Sequence, residues 1–202
     1  GWVPTIDEAV ADVPSKGNSE GIFSSNSSSA VTNLVSNAGV VATDVTGVGT
    51  ARAYVAGTQY GGDKGIFGFG TTGSVTAVTN LVSDAGVVAT DVTGVGTARY
   101  YLAACSYGGD KGIFGFGHDG SATAVSNLVS NAGVVASDVT GVGTARYGLA
   151  ACEYGNDKGI FAYGYTGSYV SMSNLVSNVG VVASDVTGVG TARSDMAACS
   201  FN

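Results

Sequence analysis

Four aspartate–arginine pairs are the residues that type and spacing best equip for polar chemistry. Asp44/Arg52, Asp91/Arg99, Asp138/Arg146 and Asp185/Arg193 each stand eight residues apart. A guanidinium facing a carboxylate across a tight turn forms a two-pronged, charge-assisted pair that can hold a ligand or staple two strands. Recurrence in every copy favours the staple, because catalytic sites are rarely built once per repeat. Aspartate in such a turn also accepts backbone N–H groups. A second acidic set is Asp63, Asp110 and Asp157, each followed by a lysine (Lys64, Lys111, Lys158). Gathered at one mouth of an axial channel, these three would be candidate ligands for a cation. The neighbouring lysines, and Ser19-Glu20 in the first copy, argue instead for a solvated turn.

Enzymatic chemistry has little to work with. His118 is the only histidine, and no serine or cysteine recurs beside it as a nucleophile would. Cys105, Cys152 and Cys199 occupy one repeat position, 47 residues apart. That spacing is no zinc pattern, and symmetry-related cysteines usually lie beyond the ~7 Å Cα separation a disulfide spans. Beside Ala-Ala they read as small apolar fillers. The glycines of GVGTAR read as turn glycines, since no helix follows to form a phosphate loop. The chain is therefore expected to be no enzyme and to need no cofactor, the cation at Asp63, Asp110 and Asp157 being the one alternative.

What must position these residues is a repeat. The 20-residue segments 33–52, 80–99, 127–146 and 174–193 agree at 17 positions in all four copies. GGDKGIFGFG at 61–70 returns at 108–117 and, as GNDKGIFAYG, at 155–164. The first copy is three residues shorter between its GIF and its asparagine. A fixed period decides the architecture before anything else.

Composition selects strands. Thirty-three glycines, and few of the usual helix formers, argue against helices. Valine, threonine, serine and aromatic residues favour pleated strands. In the second copy the turn residues divide the unit into strands at 65–70, 74–83, 87–92 and 97–107. Both faces of the second strand carry small apolar residues, as in a sheet covered on both sides. The expected fold is all-β: a β-propeller of four 47-residue, four-stranded blades at about 21–60, 61–107, 108–154 and 155–202. A β-solenoid, or a sector of a larger ring, is the alternative. Residues 1–20 fall outside the repeat and read as a lead-in segment, a closing strand or a docking element. The net charge of −7 and only eight cations argue against nucleic acid. No apolar run reaches the length of a membrane span, and no signal peptide is visible at the start.

The differences between copies are the place to look for binding, although neutral drift at exposed positions explains the same facts. Copies that otherwise agree diverge at 71–76, 118–123 and 165–171, and again at 53–60, 100–107, 147–154 and 194–201. A constant scaffold with varied loops is how recognition surfaces are built. His118, Asp119, Tyr163, Tyr165 and Tyr169 are the candidate ligand contacts.

The segments DKGIFGFG, NLVSNAGVVASDVTGVGTAR and AACxYG resemble a repeat of marine phage and environmental viral proteins, often tail-fibre-like and loosely similar to kelch-type propellers. The resemblance covers about 21–202. The paired glycines and tryptophan of kelch repeats are missing, so kelch functions are not implied. The resemblance implies a virion-attached or extracellular module with a structural, recognition or assembly role. Its expected partners are other virion or surface proteins and further copies of itself. A soluble glycan-binding propeller is the alternative.

Overall fold

The computed structural model describes residues 19–24 and 28–201. Eleven strands form four antiparallel sheets, and no helix occurs among the described residues. The first sheet pairs β1 (Gly21–Ser24) with β2 (Thr32–Val35). The second joins β3 (Ala56–Tyr60), β4 (Lys64–Gly68) and β5 (Thr79–Val82). The third joins β6 (Ala103–Tyr107), β7 (Lys111–His118) and β8 (Ala122–Val129). The fourth joins β9 (Ala150–Tyr154), β10 (Lys158–Tyr165) and β11 (Tyr169–Val176). With no helix present among these residues, none is long and apolar enough to cross a membrane.

The sheets hold two or three strands each rather than the expected four, and they fall in a shifted frame. Tyr60-Gly61-Gly62-Asp63-Lys64 and its equivalents are hairpin turns, so the strand before each turn pairs with the strand after it. Positive φ at Gly61, Gly62, Gly108 and Gly109 lets the chain reverse there. The boundaries at 60/61, 107/108 and 154/155 thus pass through hairpins, and the strand assigned to the end of one blade opens the next sheet. Residues 87–92, expected as a full strand, lie along β5 through only two isolated bridges, Val82↔Val88 and Thr79↔Val92. The GFG and AYG ends of the central strands bulge at Phe116 and Tyr163, where the register shifts. Phe69, Phe116 and Tyr163 all take left-handed φ, near 64, 62 and 64°.

The sheets stack face to face in chain order. β3 lies over β6, and β6 over β9. β7, in the middle of the stack, is buried on both faces from Gly112 to Gly117. The hydrophobic core is accordingly shared between units. Ile66 and Phe69 of the second sheet pack with Phe114 and Val129 of the third, and Ile113 and Phe116 of the third with Phe161 and Val176 of the fourth. A single unit cannot bury its own apolar face. No closed barrel or ring is formed among the described residues, which show an all-β arrangement of small antiparallel sheets. The lead-in segment lies outside the described residues except for Ser19 and Glu20.

Candidate functional site

The conserved polar residues build a clasp between consecutive units. Asn80 donates from Nδ2 to the Ala89 carbonyl at 3.1 Å and to Asp91 Oδ1 at 2.8 Å, which fixes both side chains. The preceding unit then reaches in: the Thr50 amide and hydroxyl donate to Asp91, the hydroxyl at 2.6 Å, and Arg52 Nη2 donates to Asn80 Oδ1 at 2.6 Å. The same clasp joins Thr97 to Asp138, and Thr144 and Arg146 to Asp185 and Asn174. The aspartate–arginine pairs therefore form across units. Arg52 faces Asp91 at 3.7 Å and Arg146 faces Asp185 at 3.8 Å, not the aspartates eight residues upstream. The tight turn between Asp and Arg carries each arginine away from its sequence neighbour and onto the next sheet.

The buried arginines Arg99 and Arg146 are held from several directions. Arg99 lies over the Phe69 ring at 4.3 Å and donates from Nε to the Phe116 carbonyl at 2.8 Å. Arg146 repeats this with Phe116 beneath it and the Tyr163 carbonyl at 2.7 Å. The left-handed bulge turns those carbonyls toward the guanidinium. Burial pushes Arg99 and Arg146 down to about 10, opposed by the attraction of Asp138 and Asp185, so both stay charged at neutral pH. Burial works to raise Asp91, Asp138 and Asp185. Hydrogen bonds from threonine and asparagine, with the arginine charge, outweigh it and hold all three below the usual carboxylate value. Gly49, Gly96 and Gly143 have φ of 88, 85 and 83°, and a Cβ there would collide with the next unit's aspartate and asparagine. That is why the second glycine of GVGT is invariant among the copies.

The expected cation ligands are not brought together. Asp63, Asp110 and Asp157 each accept from their own following lysine, at 2.6, 2.6 and 3.0 Å. Asp110 and Asp157 also accept from Asn131 and Asn178. Among the described residues no cluster of three metal-ligating side chains exists. Cys105, Cys152 and Cys199 are free thiols; Cys105 is buried, and burial foremost pushes it up to about 12.

The varied positions converge on one face. Bridges Ala53↔Thr71, Tyr100↔His118 and Tyr147↔Tyr165 lay the two variable stretches of each unit side by side. The result is an unbroken ribbon of rings. Tyr54 meets Tyr101 at 4.1 Å and Tyr100 at 5.9 Å; Tyr100 meets His118 at 5.4 Å. His118 meets Tyr147 at 5.0 Å, Tyr147 meets Tyr165 at 5.5 Å, and Tyr165 meets Tyr169 at 5.5 Å. A groove of about 440 Å3 opens beside it, lined by Tyr54, Val55, Tyr101, Leu102, Gly148, Leu149 and Asp195. Tyr54, Tyr101, Gly148 and Asp195 occupy one repeat position and hold left-handed φ of 55, 53, 63 and 55°, so this conformation belongs to the turn of the repeat. A hydrogen bond with Tyr54, and then burial, push the Tyr101 phenol up to about 12.

Of the expected contacts, His118, Tyr165 and Tyr169 lie on this ribbon, and Asp119 sits in the turn beside it, bound to Ser121 N. Tyr163 does not: its ring lies 4.1 Å beneath Arg193, as part of the clasp. Tyr54, Tyr100, Tyr101 and Tyr147 were missed, although all fall in the variable stretches. The missing signal was the pairing of those stretches, which sequence spacing does not show. His118 Nδ1 accepts from Gly120 N at 3.2 Å, which leaves the proton of the neutral ring on Nε2. No family model matches this chain, and no curated protein matches it.

Proposed function

We propose that this protein is a non-enzymatic recognition module, a stack of scaffold units that presents one aromatic ribbon to an extended, hydroxyl-rich ligand such as a glycan. The ribbon is the observation that carries the reading. Seven rings from three sheets form one chain of tilted and edge-to-face contacts, two of them (Tyr54 and Tyr101) lining a groove, at the positions where otherwise near-identical copies differ. Tyrosine combines an apolar face with a polar tip at little entropic cost, which suits sugar rings. Asp119 and Asp195 at the margins, and the net charge of −7, disfavour a polyanion such as nucleic acid and suit hydroxyl donors. The ribbon is not repeated once per unit, so it reads as one long asymmetric site rather than several weak equivalent ones.

The setting we propose is attachment to a virion or to an extracellular assembly, with a recognition or assembly role; the repeat's resemblance to tail-fibre-like proteins supports it. As to architecture, a closed four-bladed ring would need Arg193 to reach Asp44, and among the described residues Arg193 is exposed and donates to Thr191 O rather than to Asp44. We therefore favour an open solenoid-like stack or a sector of a larger ring.

The test is a glycan array followed by titration calorimetry of the best oligosaccharide. Binding should weaken about tenfold or more in Tyr101→Ala, since loss of a central aromatic contact typically costs more than ~1 kcal/mol. Tyr163→Phe, away from the ribbon, should bind normally. A protein that binds no array glycan at millimolar concentration, or a Tyr101→Ala variant that binds as well as the parent, would sink the proposal.

A further inference from the structure

One repeat position, held in turn by Tyr54, Tyr101, Gly148 and Asp195, runs as a row along the stack. Backbone hydrogen bonds join its later members: Gly148 N donates to Tyr101 O at 3.0 Å, and Asp195 N to Gly148 O at 2.8 Å. Units therefore succeed one another here at the spacing of hydrogen-bonded strands, about 4.8 Å. Tyr54 and Tyr101 use that spacing to stack, with ring centroids 4.1 Å apart. The third member has no side chain, so the row of rings stops at Tyr101 and gives way to a carboxylate at Asp195. Between those two side chains lies a gap two rungs deep, roughly 10 Å from backbone to backbone.

The gap opens into the groove of about 440 Å3. Its floor is apolar, made of Leu102 and Leu149, both buried, with Val55 beyond them. One wall is the Tyr101 ring. Tyr54 covers one face of that ring at 4.1 Å, while Tyr147, on the Gly148 side, stands 6.0 Å away and leaves the other face open to the gap. The opposite wall is Asp195. Its Oδ1 lies 2.9 Å from where a Cβ on Gly148 would stand, so the carboxylate leans into the space that the missing side chain leaves. Ser194 Oγ donates to Asp195 Oδ2 at 2.7 Å, which steadies the carboxylate with Oδ1 toward the gap.

We infer that this gap is the anchoring subsite of the glycan site, taking one pyranose ring of a longer neutral chain; the inference rests on the glycan reading of the ribbon. The sugar lies on the open face of Tyr101 at about 4 Å, the separation of carbon surfaces in contact. Its C–H groups meet the aromatic face, and its edge hydroxyls donate to Asp195 Oδ1 in charge-assisted hydrogen bonds. Leu102 and Leu149 cover it from below. Two other occupants fit less well. An ammonium group is best held by ring faces on several sides, and here one face borders the gap. A plain aromatic ring matches the thickness but leaves the carboxylate desolvated without a donor. The neighbouring sugars of the chain extend along the ribbon, so the residue that is absent at position 148 sets the register in which the ligand lies.

Gly148→Tyr tests this, because it lengthens the ribbon and fills the gap at once. Tyr54 and Tyr101 hold the same left-handed backbone, and the nearest obstacle to a side chain at 148 is the flexible end of Asp195, so the variant should fold. The readout is a neutral-glycan array, followed by calorimetry with the hexasaccharide of the best-bound series. Gly148→Tyr should bind about tenfold or more weakly, and Asp195→Ala about tenfold more weakly through loss of its hydrogen bonds to the sugar. Choline at millimolar concentration should not bind. Circular dichroism melting checks folding, and Asp195→Ala, altered at an exposed side chain, carries the test by itself if Gly148→Tyr unfolds. Parent-like or tighter binding by Gly148→Tyr, or unchanged binding by Asp195→Ala, overturns the subsite; if Tyr101→Ala still weakens binding, the ribbon reading stands. A parent protein that binds no array glycan overturns both. Choline bound in place of sugar, and lost in Asp195→Ala, overturns the assignment of the occupant.

Discussion

Arg146 shows how much one side chain does in this protein. It reaches the Tyr163 carbonyl, Asn174 and Asp185 of the next unit, while its guanidinium covers the Phe116 ring of its own. Removing it leaves those acceptors unpartnered in a buried place, so Arg146→Ala should lower stability by about 3 kcal/mol in urea unfolding. Arg146→Lys should recover little, because a point charge cannot serve three directions or cover the ring. Equal stability of the lysine variant and the parent would show that charge alone matters there. That aspartate and arginine are structural was legible from their recurrence. Which aspartate meets which arginine was not. Eight residues of separation suggests a local partner, and only the path of the GVGT turn sends the guanidinium onto the neighbouring sheet.

At the scale of the element, the central strands β4, β7 and β10 explain the glycine pattern. Their glycines face the next unit's phenylalanine at contact distance, so the sheets approach more closely than side chains would allow. Gly68 and Gly115 have this neighbour, and Ala162, whose face meets no further unit within the chain, does not keep the glycine. Gly115→Val should therefore cost about 1–3 kcal/mol through overpacking against the fully buried Phe161, read as a fall in melting temperature. Ala162→Val in the monomeric protein should cost much less; equal losses would count against the covered-face explanation. The strands themselves were legible from turn glycines and strand-forming residues. The frame was not, because the Gly-Gly-Asp segment that looks like a boundary is the turn of a hairpin, and turn chemistry alone does not tell a link between units from a link within one.

The described residues form a stack whose cohesion passes through three clasps, each with a threonine–aspartate bond, and stability in such arrays is approximately a sum of units and junctions. Asp91, Asp138 and Asp185 carry a common pH signature. Their folded pKa values lie below the unfolded ones, so the stability they contribute is present above the unfolded value near ~3.9 and is lost as pH falls through the folded ones. The melting temperature should hold steady from about pH 7 to 5 and then fall steeply below about 4. Asp138→Asn should lower stability at neutral pH yet flatten that acid slope; an unchanged slope would place the acid sensitivity elsewhere.

Much about this protein was determined by sequence alone: four copies, all-β strands, a shared core and a division between constant and varied positions. Each follows from local chemistry repeated at a fixed period, which the chain displays without folding. The tertiary structure decided the rest. It chose the next unit over the same unit as each clasp's partner and separated Asp63, Asp110 and Asp157. It also drew Tyr54, Tyr100, Tyr101 and Tyr147 beside His118 and Tyr165. Those outcomes depend on the rotation and rise from one sheet to the next, set by close packing at glycine faces and by the reach of a buried arginine, and no local stretch of residues encodes either quantity.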